Sequence, residues 1–461
     1  MNASTLPPIH WGDWRWPLLA GLVAVALVVH PIAAFGVLLL LALQRAYPLD
    51  FRTAYLAVVS GASFINYTRG HLTKELSLLT IGIVFMIVCY TLRRGQSLIA
   101  YPRTTLTTPL LLYTGLTFIN FMRGILVDNS LRYAGLELLA GLALVSAVLV
   151  ANRSRPQHLR LSVVWLWITA LGHCALGFYI FSILHVRTGS IYFTPVPGVI
   201  AALMLSFALR ASRPRVAAMW VLAMTPLIAH QFLSFTRGYW LAFLASSLFS
   251  AVVFLWNREG RGARLRRVGF LFLLVTSGVV VAATALSLVF GIRDLGTLAL
   301  DRLSSSTGTE YSWETSSNVV RLVEYAKVIT EIAKAPLFGH GLGFAFVVRE
   351  PLLQKLHEQW FTHQNYLLVT LKQGVLGLLL FVWMLFAGVR MGLSGLHLKD
   401  PDSVAWCAGT AAATVHLIVY CNVHFPLGEV NTTFTLAFLW GVTMALVSRS
   451  TVEFRFGDRQ G

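Results

Sequence analysis

Long apolar runs separated by short polar connections repeat along almost the whole chain. A helix needs about 20 mostly apolar residues to cross a bilayer, so each run is a candidate transmembrane helix. The pattern predicts an all-α, polytopic membrane protein with about 12 crossings, and up to 14 if the first run is a hairpin and short runs also cross. The runs are Trp16–Leu43, Arg52–Ile65, Glu75–Leu92, Thr105–Phe121, Leu131–Val150, Leu161–Leu184, Ile191–Leu209, Val216–Leu233, Tyr239–Trp256, Val268–Phe290, Tyr366–Val389, Val404–Val423 and Thr432–Val447.

One long polar stretch interrupts this pattern and divides the chain. We expect transmembrane helices in residues 1–290, a large loop containing helices in residues 291–363, further transmembrane helices in residues 364–448, and a tail at 449–461. Within the loop, Asn318 is expected to cap an amphipathic helix that runs to about Lys334. A glycine-rich turn, Gly339–Gly343, follows, and an amphipathic stretch from Phe344 to Trp360 is expected along the membrane surface.

The charged residues give these predicted helices an orientation. The chain of 461 residues is 56% hydrophobic and 12% charged, with a net charge of +17. Its arginines concentrate in short connections, above all at residues 258–267, as the positive-inside rule predicts for cytoplasmic loops. We therefore expect the 291–363 loop outside, the tail in the cytoplasm, the first helix as an uncleaved signal, and no nucleic-acid partner. The four cysteines show no spacing typical of disulfides or zinc.

Four arginines stand beside or near glycine at helix ends that this orientation places outside: Arg69, Arg123, Arg187 and Arg237. The positive-inside rule predicts few arginines there. An arginine offers a planar fork of donors that suits phosphate, so several together would form a diphosphate clamp. The alternative is that they snorkel to lipid headgroups.

Arg321 is a further candidate for binding an anion. It is expected in the first turn of the loop helix, where unpaired backbone N–H groups and the helix dipole also favour negative charge. The alternative is an ordinary contact with Glu324, three residues later on the same helix.

His363 precedes an apolar run and is therefore expected at the outer membrane face, where an imidazole can act as a general base on a hydroxyl. His340, in the glycine-rich turn, and His424, at another outer helix end, are rival candidates. The loop carries no paired carboxylates or histidine cluster typical of a metal site, and the chain has no phosphate-binding P-loop. We expect chemistry that needs no metal, cofactor or ATP.

These residues resemble a known family. The spacing His363-Gln364-x9-Gly374-x2-Gly377 is similar to the motif of the bacterial O-antigen ligases, the WaaL family. Residues 335–343, Ala-Pro-Leu-Phe-Gly-His-Gly-Leu-Gly, resemble a segment that these ligases share with O-antigen polymerases and protein O-oligosaccharyltransferases. Arg237 in Thr-Arg-Gly looks like their periplasmic arginine. The resemblance covers the architecture loosely and residues 237–377 most closely.

The resemblance implies a GT-C-like glycosyltransferase of the bacterial inner membrane with its active site facing the periplasm. It would transfer O-antigen polysaccharide from undecaprenyl diphosphate to a sugar hydroxyl of lipid A-core, with inversion, among membrane lipids. His363 would be the general base, and Arg237 and Arg321 would bind the diphosphate and stabilise its growing charge. The further substrate-binding candidates are Arg69, Arg123, Arg187, Tyr239, His340 and Gln364.

Three alternatives use similar features. A Wzy-type O-antigen polymerase uses the same donor but extends a lipid-linked glycan. A protein O-oligosaccharyltransferase is a second alternative, although the large C-terminal soluble region of that class is absent here. A flippase or transporter for lipid-linked oligosaccharides would also have many helices and outer arginines. It would, however, be expected to place broken helices or charges near the bilayer midplane.

Overall fold

The computed structural model describes residues 104–153, 159–184, 194–234, 236–256, 262, 264–273, 275–276, 313–349 and 356–457. Within these ranges the chain is mostly helical, which confirms the prediction of a helical membrane protein. The three apolar runs that begin before residue 100, and most of the run predicted at 268–290, lie outside the described residues.

The described helices follow the predicted apolar runs closely, and the first begins at Thr107 where Thr105 was expected. Among the described residues, seven helices are long and apolar enough to cross a membrane. The helices are α1 Thr107–Leu126, α2 Leu131–Arg153, α3 Leu159–Leu184, α4 Val196–Arg210, α5 Pro214–Leu233, α6 Arg237–Leu255, α7 Trp313–Lys334, α8 Asn365–Ser394, α9 Pro401–Tyr420 and α10 Val430–Gly457. Short 3-10 turns cover Gly395–His397 and Pro426–Gly428.

Helices α4 and α9 form the centre of the described bundle. Almost every residue of α4 is buried, and α9 packs against it with small side chains, so that Gly409 lies against Leu203. Helix α6 has one buried face and one exposed face: Ser246 and Ser250 are buried, whereas Leu244 is exposed. Small residues inside and large apolar residues outside are typical of helices that pack in lipid.

The loop helix α7 begins earlier than the sequence suggested. It starts at Trp313, so Asn318 lies inside the helix and is not its N-cap, although the end at Lys334 is as predicted. Arg321 therefore lies in the third turn. The expectation that Arg321 would share an anion site with unpaired N–H groups in the first turn is wrong, because those groups belong to residues further upstream.

The stretch after the glycine-rich turn contains two paired strands, which were not predicted from the sequence, and its position along the membrane surface stays a prediction. Strand β1, Phe346–Arg349, pairs antiparallel with β2, Leu356–Gln359. Phe346 and Val348 are buried, while Val347 between them is exposed. This alternation is the period of two that a strand requires.

Helix α8 is kinked at Gly374, where φ is 69° and ψ is −171°. This conformation is open to glycine and strained for other residues. The kink breaks the helical ladder, and residues 336–341 replace the lost hydrogen bonds. The N–H groups of His340 and Gly341 donate to the carbonyls of Leu371 and Lys372, both at 2.9 Å. In return, the N–H of Val375 donates to the Pro336 carbonyl at 2.8 Å.

The glycine-rich turn therefore fastens α7 to α8. It also contacts α1, because the N–H of Leu342 donates to the Asn120 carbonyl at 3.0 Å. A buried ion pair lies beneath the turn: Lys372 Nζ is 2.8 Å from Glu137 of α2 and donates to the Phe344 carbonyl at 2.5 Å. These contacts fix the position of α7 relative to the first turns of α8.

Candidate functional site

His363 lies immediately before α8, in a segment held by its neighbours on both sides. Gln364 is the N-cap of α8, and its side-chain oxygen accepts from the N–H of Leu367 at 2.7 Å. The N–H of Asn365 donates to the carbonyl of Cys421, just beyond the end of α9, at 2.8 Å. Gln364, a substrate-binding candidate from the sequence, thus has a structural contact that orients the segment.

A single carboxylate of α7 holds His363 in two ways. The main-chain N–H of His363 donates to Glu324 Oε1 at 2.7 Å, and the ring Nδ1 lies 2.8 Å from Glu324 Oε2. The Glu324 side chain is buried at 2% exposure, whereas the His363 side chain is 28% exposed. The histidine therefore faces solvent on one side and a buried carboxylate on the other.

Glu324 is held in its ionised form. Burial alone raises the pKa of this carboxyl, but hydrogen bonding and charge from His363 hold the pKa below its usual value. An ionised carboxylate only accepts hydrogen bonds, so Nδ1 of a neutral His363 carries the proton. Nε2 is then the basic nitrogen, as a general base requires.

The other two histidines have different surroundings. His340 Nε2 lies 2.9 Å from the main-chain carbonyl of Glu331, and its ring stacks on Phe344. His424 is buried and its Nδ1 accepts from the N–H of Phe425 at 2.9 Å. His363 Nδ1 lies 2.8 Å from a carboxylate oxygen of Glu324, whereas His424 Nδ1 lies 3.9 Å from Glu429 Oε1, and the His363 side chain is more exposed than that of His424. The geometry therefore distinguishes the three histidines, which the sequence alone did not rank.

Arg321 lies on the same face of α7 as Glu324, three residues before it. Both oxygens of Glu324 contact His363, so the alternative of a contact between Arg321 and Glu324 gives way to the Glu324–His363 pair. The Arg321 guanidinium lies near enough to Tyr420, at the end of α9, for the two groups to interact electrostatically.

Arg237 begins α6 and is half-buried. Two residues later, Tyr239 is fully buried and stacks on Tyr420 with ring centroids 4.3 Å apart. Tyr239, expected to contact substrate, therefore contacts the protein interior. A Cβ at Gly238 would meet Val423 and Tyr420, so the start of α6 packs against the end of α9.

A row of aromatic rings joins Tyr420 to His363. His424 stacks on Tyr420 at 5.4 Å and on Phe425 at 4.9 Å, and Phe425 lies 4.9 Å from Phe361. Phe361 meets the His363 ring edge-on at 5.6 Å. The row connects His363 to Tyr420, the residue on which Tyr239 of α6 stacks.

Arg123 does not join this group. Its guanidinium donates to the main-chain carbonyl of Phe338 at 2.8 Å, beside the glycine-rich turn. His340 belongs to the same turn and contacts α7 at the main-chain carbonyl of Glu331. Glu331 is seven residues from Glu324, or roughly 10 Å along the helix. Arg69 and Arg187 lie outside the described residues.

One part of the chain matches a known protein family. Residues 222–382 match the family model of the O-antigen ligases, Wzy_C. The matched segment begins in α5 and ends in α8, and it contains Arg237, Arg321, Glu324 and His363. It supports the resemblance seen in the sequence and indicates a glycosyltransferase-like membrane enzyme with an activity of the O-antigen ligase or polymerase type. A comparison with curated proteins found none that matches.

Sequence reasoning missed one residue of this matched segment. Glu324 entered only as a polar position of the loop helix, yet it holds His363 from 39 residues away along the chain. The available signal in the sequence was that Glu324 lies on the same helix face as Arg321, a candidate anion ligand. The Lys372–Glu137 pair was also missed, although a charge inside each of two apolar runs suggests pairing.

Proposed function

We propose that this protein is an O-antigen ligase that transfers a polysaccharide from undecaprenyl diphosphate to a sugar hydroxyl of lipid A-core. The observation that carries the proposal is the Glu324–His363 pair, which lies inside the segment that matches the family. The pair supplies an oriented base, and the neighbouring arginines supply positive charge. These are the two requirements of glycosyl transfer from a diphosphate donor.

In the proposed reaction, His363 Nε2 takes the proton of the acceptor hydroxyl while its oxygen attacks the anomeric carbon of the donor. The new carbon–oxygen bond forms as the bond from that carbon to the diphosphate breaks. Undecaprenyl diphosphate leaves with the bonding electrons, and direct displacement inverts the anomeric configuration. Glu324 stabilises the imidazolium that forms, as the buried aspartate of a serine protease does.

Arg237 and Arg321 are the proposed diphosphate ligands. A guanidinium binds two phosphate oxygens at once, and its charge stabilises the negative charge that grows on the leaving group. Arg237 begins the helix that stacks on Tyr420 through Tyr239, and the charge of Arg321 acts electrostatically on the same tyrosine. The contacts of Arg123 and His340 instead favour a role in holding the glycine-rich turn. Arg69 and Arg187 remain proposed ligands from the sequence.

The proposed location is the inner membrane, with the site facing the periplasm. Arg210 at the end of α4 and Arg213 and Arg215 at the start of α5 lie at the bundle end opposite His363. A concentration of arginines marks the cytoplasmic end of transmembrane helices. The charge distribution of the described helices thus supports a periplasmic position for His363.

Reconstitution tests the reaction class. The purified full-length protein would be supplied with glycan on undecaprenyl diphosphate and with lipid A-core, in EDTA and without ATP. Formation of a glycan–lipid A-core product with inverted configuration is expected. Lengthening of glycan on the lipid carrier would indicate a polymerase instead of a ligase. Transfer to a protein hydroxyl would indicate an oligosaccharyltransferase. Donor crossing the bilayer unchanged would indicate a transporter.

A further inference from the structure

A basic cavity lies at the end of the bundle opposite His363. It has a volume of about 450 Å³ and lies where α4 and α6 end and α9 begins, beside helical residues 264–273. Four cations line it: Arg210, Arg264, Arg267 and Lys399. Within the part of the chain that the structure describes, no carboxylate lines this cavity.

Aromatic and main-chain contacts position three of these four cations. Arg210 and Arg264 lie over the same Phe254 ring, at 5.8 and 5.6 Å from its centroid. Arg267 donates to the main-chain carbonyls of Ala208 and Ala211. Carbonyls and an aromatic ring orient guanidinium groups without neutralising them.

Arg210 supplies the second observation. Its Nη1 is buried and has no hydrogen-bond partner among the described residues. A buried donor on a charged group is costly when unpaired, so native proteins normally pair such groups. The atom therefore indicates that an acceptor from outside the chain completes the site.

The nearby carboxylates are engaged elsewhere. Asp402 forms an ion pair with Arg160 at 2.7 Å. Asp400 caps α9, where it accepts from the N–H and the hydroxyl of Ser403 at 2.9 and 2.6 Å. Neither of these two carboxylates lines the cavity.

We propose that this cavity binds a phosphate group, supplied either by the headgroup of an anionic phospholipid or by free phosphate. Arginine forks match phosphate oxygens, and basic pockets between transmembrane helices at the cytoplasmic side suit anionic headgroups. The site is separate from the catalytic one, because α9 has 20 residues and thus holds them roughly 30 Å apart. The inference does not depend on the proposed glycosyl transfer.

Lipid retention tests the headgroup source. The full-length protein would be placed in nanodiscs of phosphatidylcholine containing a minor fraction of phosphatidylglycerol, and the bound lipids would be measured by native mass spectrometry. Wild type is expected to retain phosphatidylglycerol preferentially. Lys399→Gln, which changes an exposed residue and leaves the bundle interior intact, should lower that preference about fivefold. Arg210→Gln should lower it at least as much.

The matched control is Arg213→Gln, which removes an exposed arginine at the same membrane end and outside the cavity. Its lipid preference should stay near that of wild type. A second arm adds inorganic phosphate to protein in pure phosphatidylcholine and follows thermal unfolding. Stabilisation of wild type that Lys399→Gln abolishes would identify free phosphate as the occupant.

The two arms together decide the proposal. Preference for phosphatidylglycerol that needs Lys399 supports the headgroup, and stabilisation by phosphate that needs Lys399 supports the free anion. Equal effects of Lys399→Gln and Arg213→Gln would mean that only general surface charge attracts anions, and would overturn the cavity as a site. No preference for either ligand in wild type would overturn it as well.

Discussion

Glu324 and His363 are joined twice, once through the main-chain N–H of His363 and once through its ring. One buried carboxylate therefore fixes both the position of the residue and the orientation of its imidazole. Because Glu324 belongs to α7 and His363 precedes α8, the pair depends on the contact between these helices. The glycine-rich turn, docked in the kink of α8, provides that contact.

Replacing the carboxylate tests whether this orientation matters for turnover. Glu324→Gln should lower the turnover number by between about 10-fold and 10⁴-fold, because an amide cannot accept from both N–H groups of His363 and favours the wrong tautomer. KM for the donor should change little. The measurement is steady-state transfer, with circular dichroism to show that the variant is folded. Unchanged turnover would show that Glu324 has no part in orienting the base.

The same carboxylate predicts a dependence of stability on pH. The pKa of Glu324 lies below its ordinary value of 4.5 in the folded protein. Its contribution to stability is thus complete above about pH 4.5 and is lost as the pH falls through the lower folded pKa. Thermal unfolding from pH 6 to pH 3 should therefore show wild type losing more stability than Glu324→Gln. Parallel curves for the two proteins would contradict the lowered pKa.

Gly374 should tolerate no side chain. A Cβ there would lie 2.1 Å from the Leu337 carbonyl oxygen, and its φ of 69° is unfavourable for alanine. We expect Gly374→Ala to cost at least about 2 kcal/mol of unfolding free energy and to lower transfer, because the α7–α8 contact shifts.

Gly115→Ala is the matched control, since it also lies in a transmembrane helix and a Cβ there meets nothing within 4 Å. Denaturant unfolding in detergent micelles compares the two variants. Equal stability of Gly374→Ala and Gly115→Ala would show that the kink does not require glycine.

Substitutions of two arginines should distinguish a loss of turnover from a loss of stability. Arg321→Lys keeps the charge but loses the planar fork, so transfer should fall about 10-fold or more. Arg123→Lys should mainly lower the melting temperature, because Arg123 contacts the Phe338 carbonyl and lies outside the row of residues around His363. Turnover and melting temperature would be measured on both variants. Equal losses of turnover would place Arg123 in the binding site too.

The helical framework was predictable because apolar runs of membrane-spanning length carry their own signal. The hairpin at Phe346–Arg349 and Leu356–Gln359 was missed, because Phe346, Val347 and Val348 are all apolar and only their burial alternates with the period of a strand. The start of α7 was placed too late because Asn318 is a good cap in isolation, yet the helix continues upstream to Trp313.

The candidate site, too, could be predicted from the sequence only in part. His363, Arg237 and Arg321 stood out because each is a polar residue at the end of an apolar run or in the one polar loop. Glu324 could not be assigned to His363, since their contact spans 39 residues and depends on how the turn docks into α8. The roles of His340 and Arg123 in that docking also required the tertiary contacts of the glycine-rich turn.

The most direct test of the account is the turnover number of His363→Ala measured beside His340→Ala and His424→Ala. Each variant would be purified at full length, and transfer from the lipid-linked glycan to lipid A-core would be followed at saturating donor. The account predicts a loss of about 10² to 10⁴-fold for His363→Ala alone, the range that general base catalysis supplies. Turnover by folded His363→Ala at the wild-type rate would contradict it.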